Sequence, residues 1–148
     1  MTVAALVLDD HLLLQVLLGV EPEDLRPRGA TISTTGIWYH RLCRALMNPR
    51  VTGSMSRQLG QVDETLASAA VYAVIELPET IGLVSLRSLG WPMADLLEGG
   101  ERLNLMSLEA LAAAIKLGAE ICLSAVDDNG PLRESAVRHG ISVRTCAV

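Results

Sequence analysis

Phenylalanine is absent from the 148 residues, and aromatic side chains of all kinds make up 3%. A core must therefore be packed from aliphatic side chains, which 25 Leu and 17 Ala supply. Cysteine is scarce: Cys43, Cys122 and Cys146 are odd in number and show no CxxC spacing. That excludes a disulfide scaffold and a structural zinc site, and the three read as small buried thiols. Lysine is nearly absent, Lys116 standing against 11 Arg in a chain of net charge −5. A plain basic nucleic-acid binder is disfavoured by that balance. No apolar run approaches the roughly 20 residues of a membrane span; the longest covers about Leu66–Ile75. Met1–Leu8 lacks a positive region, and Asp9-Asp10 interrupts it early, so a cytoplasmic location is expected. G-x-S-x-G, P-loop and G-x-G-x-x-G patterns are missing, which removes the local mechanics of hydrolase elbows, NTPases and Rossmann domains. What is present is 50% hydrophobic, ample to offset chain entropy in one folded domain spanning 1–148.

The apolar residues come in two patterns. Short continuous runs at Val3–Leu8 and Glu120–Ser124 read as strands buried on both faces. Ala30–Thr35 and Ile141–Thr145 read as further short strands. Between them lie helical spacings: Leu12–Leu18 closed by Gly19, Ile37–Met47 stopped by Asn48-Pro49, and Asp63 capping a helix to about Val74. A short helix is expected from Trp91-Pro92 to Leu97. Ser107–Leu117 reads as a helix capped by Ser107, with Glu109 in its first turn and Gly118 at its end. Pro131 opens a last helix to His139. Val51–Gly60 reads as a polar exposed loop, and Pro78–Gly90 is ambiguous. Strand and helix alternate, which implies a mostly parallel sheet flanked by helices, a three-layer α/β fold.

Two of these strands run into paired acids: Leu8 into Asp9-Asp10, and Ser124, two residues on, into Asp127-Asp128. In a parallel sheet the carboxyl ends of the strands line one edge, where ligands collect. Carboxylates gathered there repel one another unless a cation neutralises them, and an oxygen-rich set suits Mg²⁺ or Mn²⁺. Each residue also has an ordinary structural role: Asp9 or Asp10 as a helix cap, Glu109 beside a helix dipole, Asp127–Asn129 as a turn. His11 and His139 lie at helix edges and are expected at the surface.

Val3–Leu14 (VAALVLDDHLLL) resembles the opening strand and helix of PIN domains. Leu108–Ser124 resembles their later block, in which an acid near the start of an Ala-rich helix precedes a Gly turn and a strand. Asp127-Asp128, Leu132-Arg133, Ala136 and His139–Arg144 resemble the closing acidic turn, helix and strand. The resemblance covers roughly the first 47 and last 42 residues. It implies a PIN-like fold and a metal-dependent ribonuclease of the VapC toxin type, held by a partner antitoxin. It also implies Asp9, Glu109 and Asp127 as the catalytic acids, and these three with Asp128 as holders of Mg²⁺ or Mn²⁺.

The family's acid in the second helix has no counterpart. Ile37-Trp38-Tyr39-His40-Arg41-Leu42 stands in its place. Trp38 reads as core, and His40 and Arg41 as candidates to contact RNA. That gap leaves a second expectation, a catalytically degenerate PIN-like module acting through homodimerisation or partner binding. Val7–His11 also resembles the acidic start of receiver domains, but Asn48–Gln61 lacks the phospho-acceptor acid and Lys116 lies in a helix before the strand.

Overall fold

The computed structural model describes residues 4–47 and 53–147. Asn48-Pro49 and the start of Val51–Gly60 fall outside them. Five strands, β1 (Ala5–Leu8), β2 (Thr31–Thr35), β3 (Ile81–Val84), β4 (Glu120–Ser124) and β5 (Val143–Cys146), form one sheet in the order β3-β2-β1-β4-β5. Every neighbouring pair is parallel. The structure is therefore α/β with an all-parallel central sheet flanked by helices, as the alternation of strands and helices predicts.

Alternate residues of the central strands feed two separate cores. Leu6, Leu8 and Cys122 enter one, with Leu12, Leu13 and Leu14 of α1 (Asp10–Leu18) and Ala70 and Val74 of α4 (Glu64–Ile75). Val7, Ile121 and Leu123 enter the other. There they meet α5 (Leu86–Glu98), α6 (Leu105–Leu117) and α7 (Gly130–Arg138). The period of two places the continuous apolar strands between two helical layers. Large buried side chains are nearly all Leu or Ile, so the missing Phe is replaced by number rather than by size. Glu109, fully buried, is the polar exception among them.

α2 (Gly36–Met47) follows β2 with no loop and contributes to both cores, Trp38 to one and Leu42 to the other. Its first turns therefore straddle the carboxyl end of the sheet. Trp38 is core, as its apolar setting predicts.

Four local expectations change. Ser54–Gly60 is a helix, α3, rather than a loop; Met55 is buried in the α1–α4 core, and Ser56 Oγ donates to the Ala45 carbonyl at the end of α2. The ambiguous stretch holds β3 and the start of α5, capped by Ser85 and carrying Pro92 inside it. Asn104, not Ser107, caps α6: its Oδ1 accepts from Ser107 N at 2.8 Å. The helix thus starts at Leu105, and Glu109 lies beyond its first turn. Gly19 and Gly118 end α1 and α6 in the left-handed conformation, with φ of 74° and 60°, which favours glycine. Among the described residues no helix is long and apolar enough to cross a membrane.

Candidate metal centre

The strand order reverses at β1. From there the chain builds outward through β2 to β3, then returns to place β4 on the other side of β1. Such a switch point opens a crevice at the carboxyl ends of the two diverging strands. Asp9 and Ser124 stand there, at the ends of β1 and β4.

Asp9 is completely buried and joins the two strand ends. Its Oδ1 accepts from Leu12 N at 2.9 Å and caps α1. Its Oδ2 accepts from Ser124 N at 2.7 Å and from Ser124 Oγ at 2.8 Å. Burial pushes the Asp9 carboxyl above the usual carboxylate range, against the pull of those hydrogen bonds.

Asp10, also completely buried, opens α1 and faces two cationic groups. Arg41 grips it with a fork, Nε donating to Oδ2 and Nη2 to Oδ1, the latter at 2.7 Å. Arg41 Nη2 also donates to Asp127 Oδ2. His11 Nδ1 lies 3.0 Å from Asp10 Oδ1 and 3.2 Å from Asp127 Oδ2. Burial opposes ionisation of Asp10, but Arg41 and His11 outweigh it and hold its carboxyl below the usual range. His11 and Arg41 do the same for Asp127. Burial likewise opposes the imidazolium of His11, yet the two carboxylates lift it to about 9. The bonds to Asp10 raise Arg41 in turn.

One ligand atom from each of Asp9, Asp10, His11 and Asp127 lies within 4.8 Å of the others. Three carboxylates from two strand ends form a hard, oxygen-rich donor set, which suits Mg²⁺ or Mn²⁺, while the His11 ring beside them ligates only once it has given up the proton these acids favour. The set fits such an ion on one condition: Arg41 must give up Asp10 and Asp127.

The sequence-predicted residues thus separate. Asp9 and Asp127 are in the group; Glu109 and Asp128 are not. Glu109 Oε1 accepts from Ile37 N at 2.8 Å, so this acid complements the N-terminus of α2 rather than that of its own helix. Its Oε2 is buried without a hydrogen-bond partner. Asp128 is exposed and pairs with Arg133 at 3.0 Å. His40 is exposed on α2, and Arg41 pairs with acids. His11 corrects an expectation. It is 4% exposed rather than on the surface, because the turn that Asp9 caps carries it into the crevice. His139 is exposed, as expected. Cys122 and Cys146 are buried and all three cysteines are free; burial pushes the Cys122 thiol up to about 12.

Sequence reasoning placed Asp10 beside Asp9 at the strand edge without counting it among the metal holders, and it missed His11, the next residue of the same run. It also missed Arg41 as their counter-ion. A usable signal was a basic residue in the helical stretch where the resembled family carries an acid.

An open cleft of about 300 Å³ adjoins the group, lined by Trp38, Ser107, Leu123, Asp127, Asn129 and Gly130 among others. Asn129 caps α7 through its Oδ1 and donates to Ser107 Oγ at 2.8 Å.

No family model matches the sequence, and no curated protein matches it. Among solved structures, the chain is similar to VapBC-1 from nontypeable Haemophilus influenzae. The TM-score is 0.48 and the identity 12%, over 95% of this chain and 97% of that one. A superposition that loose transfers neither residues nor activity.

Proposed function

We propose that this protein is a divalent-metal-dependent endoribonuclease of the VapC type. The observation that carries the reading is the convergence of Asp9, Asp10, His11 and Asp127 at the switch point of an all-parallel sheet. Asp9, Asp10 and Asp127 would hold Mg²⁺ or Mn²⁺, with His11 beside them. When bound, the ion supplies charge neutralisation and an activated water for phosphodiester cleavage. The remaining work belongs to the chain. Ser124 and Leu12 fix the orientation of Asp9. Glu109 holds the first turn of α2 and with it the stretch that carries Arg41. The adjoining cleft has room for a nucleotide beside Trp38, and His40, exposed on α2, is the further candidate for RNA contact. An antitoxin protein is the expected partner.

The test pairs Mn²⁺ titration by calorimetry with RNA cleavage in the presence and absence of a chelator. Metal-dependent cleavage lost in Asp127→Asn supports the reading. Mn²⁺ binding unchanged in Asp9→Asn overturns it.

A second reading, a catalytically degenerate module working through homodimerisation or a partner, is favoured by one observation. Cys43, Leu46, Met47, Val71, Val74 and Ile75 line an almost wholly apolar groove of about 200 Å³, with Ile75 69% and Met47 82% exposed. Light scattering separates the two: a strict monomer with robust ribonuclease activity excludes the homodimeric form.

A further inference from the structure

The carboxylates at the switch point already have a cation. Asp9, Asp10 and Asp127 are three acids, and the permanently charged guanidinium of Arg41 bonds two of them, Asp10 and Asp127. A divalent ion entering this arrangement meets that cation at hydrogen-bond range of the oxygens it needs. The same ion with Arg41 withdrawn meets carboxylates whose main partner has left.

The geometry permits withdrawal. Asp10 is wholly buried, but the Arg41 side chain is 35% exposed, so its guanidinium enters the cluster from the solvent side. Arg41 lies one turn into α2, whose start is pinned by Glu109 at Ile37 N. The helix need not move for the long side chain to swing. Outside the cluster, the guanidinium becomes a planar, permanently charged fork suited to a phosphodiester.

We infer that Arg41 is a displaceable internal counter-ion, which occupies the carboxylate cluster when the protein is alone and yields it to a divalent cation as the guanidinium moves onto an RNA phosphate. Competition between Arg41 and the ion stands on the geometry alone; the RNA phosphate as the second anion rests on the ribonuclease reading. Because the two anions share one guanidinium, metal and RNA must strengthen each other's binding.

The test measures Mn²⁺ affinity of the full chain by calorimetry for the natural protein, Arg41→Met and Arg41→Lys, each first checked for native circular dichroism. Arg41→Met is expected to bind Mn²⁺ about ten-fold tighter than the natural protein, with Arg41→Lys between them, since an ammonium keeps the charge but lacks the fork. A 2′-O-methyl oligoribonucleotide, after subtraction of the Mn²⁺ it binds itself, is expected to raise the natural protein's Mn²⁺ affinity several-fold and to leave Arg41→Met unchanged. Equal or weaker Mn²⁺ binding in folded Arg41→Met overturns the inference. Should Arg41→Met fail to fold, Arg41→Lys binding no tighter than the natural protein, or no oligonucleotide effect on the natural protein, overturns it as well. Tighter Mn²⁺ binding in Arg41→Met without RNA cleavage by any variant leaves the competition standing and removes the ribonuclease reading. Cleavage with identical Mn²⁺ affinities does the reverse.

Discussion

Two networks in this molecule are built from the same residue types and do different things. One is the switch-point cluster of Asp9, Asp10, His11, Arg41 and Asp127. The other ties α7 to the segment before α6: Glu101 accepts from Arg138 Nη2 at 2.6 Å, from Ser135 Oγ at 2.5 Å and meets His139 Nε2 at 3.1 Å. Each contains an arginine, a histidine and carboxylate oxygen. In the α7 network a single acid, its own side chain 9% exposed, serves every donor, and its arginine Arg138 is 57% exposed. In the cluster three acids share two bases, and Asp9 and Asp10 are wholly buried. The first is a balanced surface clasp. The second keeps an excess of buried negative charge at a crevice, which is the condition for attracting a cation. Residue type does not separate the two; burial and the ratio of acids to bases do.

The largest effect expected from breaking that contrast is at Asp9. Asp9→Ala strips an acceptor from Leu12 N, Ser124 N and Ser124 Oγ at once, where Asp9 and Ser124 are both fully buried. Losing a helix cap and leaving buried donors unmet costs about 2–4 kcal/mol, read as a fall in the urea midpoint at unchanged slope. Glu101→Ala, whose charged partners Arg138 and His139 reach solvent and whose donor Ser135 keeps Arg138 beside it, is expected to move the midpoint less. Similar losses at the two sites would refute the contrast drawn from burial.

Next is Arg41. Arg41→Met leaves buried Asp10 with His11 as its remaining cationic partner. Breaking a buried pair is costly, but Arg41 is a third exposed and solvent screens part of its contribution. A loss of about 1–3 kcal/mol is expected, and millimolar Mn²⁺ is expected to restore much of it, since a ligand that binds only the native state stabilises it. Arg138→Met is expected to show no such rescue. The check is a thermal melt of each variant with and without the ion.

Both networks weaken in acid, where the lowered carboxylates Asp10, Asp127 and Glu101 take up protons, but they part on the alkaline limb. His11 is raised from 6.5 to about 9. A group raised in the folded state contributes fully below 6.5 and loses its contribution as pH climbs through 9, so stability falls over that window, by at most about 3 kcal/mol. His11→Gln is expected to flatten this slope. Glu101 is lowered from 4.5 to about 2, chiefly by Arg138. Its contribution is present above 4.5 and disappears as pH falls through 2. Glu101→Gln is therefore expected to change the acid limb and leave the alkaline one alone. Melting temperatures from pH 2 to 10 decide both.

How much of this was legible in the sequence follows from the range of the forces involved. Val3–Leu8 and Glu120–Ser124 announced buried strands because both faces of a central parallel strand must be apolar, a demand written residue by residue. Gly19 and Gly118 announced helix ends because a left-handed backbone is a local need. The helix at Ser54–Gly60 was hidden, since its polar composition masks one buried Met55, and only tertiary packing turns that residue inward. Asp9 and Asp127 were legible as acids following strands. Arg41 was not, because its partners lie 31 and 86 residues away and no spacing rule spans such gaps. His11 was misplaced for a related reason: a histidine beside a helix start belongs at the surface unless the start itself is buried, as Asp9 makes it here.

Glu109 offers the smallest effect and the finest discrimination. The residue is wholly buried, with Oε1 on Ile37 N and Oε2 without a partner. Glu109→Gln keeps an oxygen for Ile37 N and removes the charge at the start of α2, a loss of under about 1 kcal/mol. Glu109→Ala removes the acceptor too and is expected to cost about 1–2 kcal/mol more through the orphaned N–H. Neither change alters the four groups that share the 4.8 Å neighbourhood. If Glu109 acts by holding α2, Glu109→Gln shifts Mn²⁺ affinity by no more than about two-fold, while Asp9→Asn lowers it by about ten-fold or more. An equal fall in both variants instead makes Glu109 a ligand, as the sequence resemblance implies, and its partnerless oxygen then becomes the position the ion reaches once Arg41 has withdrawn.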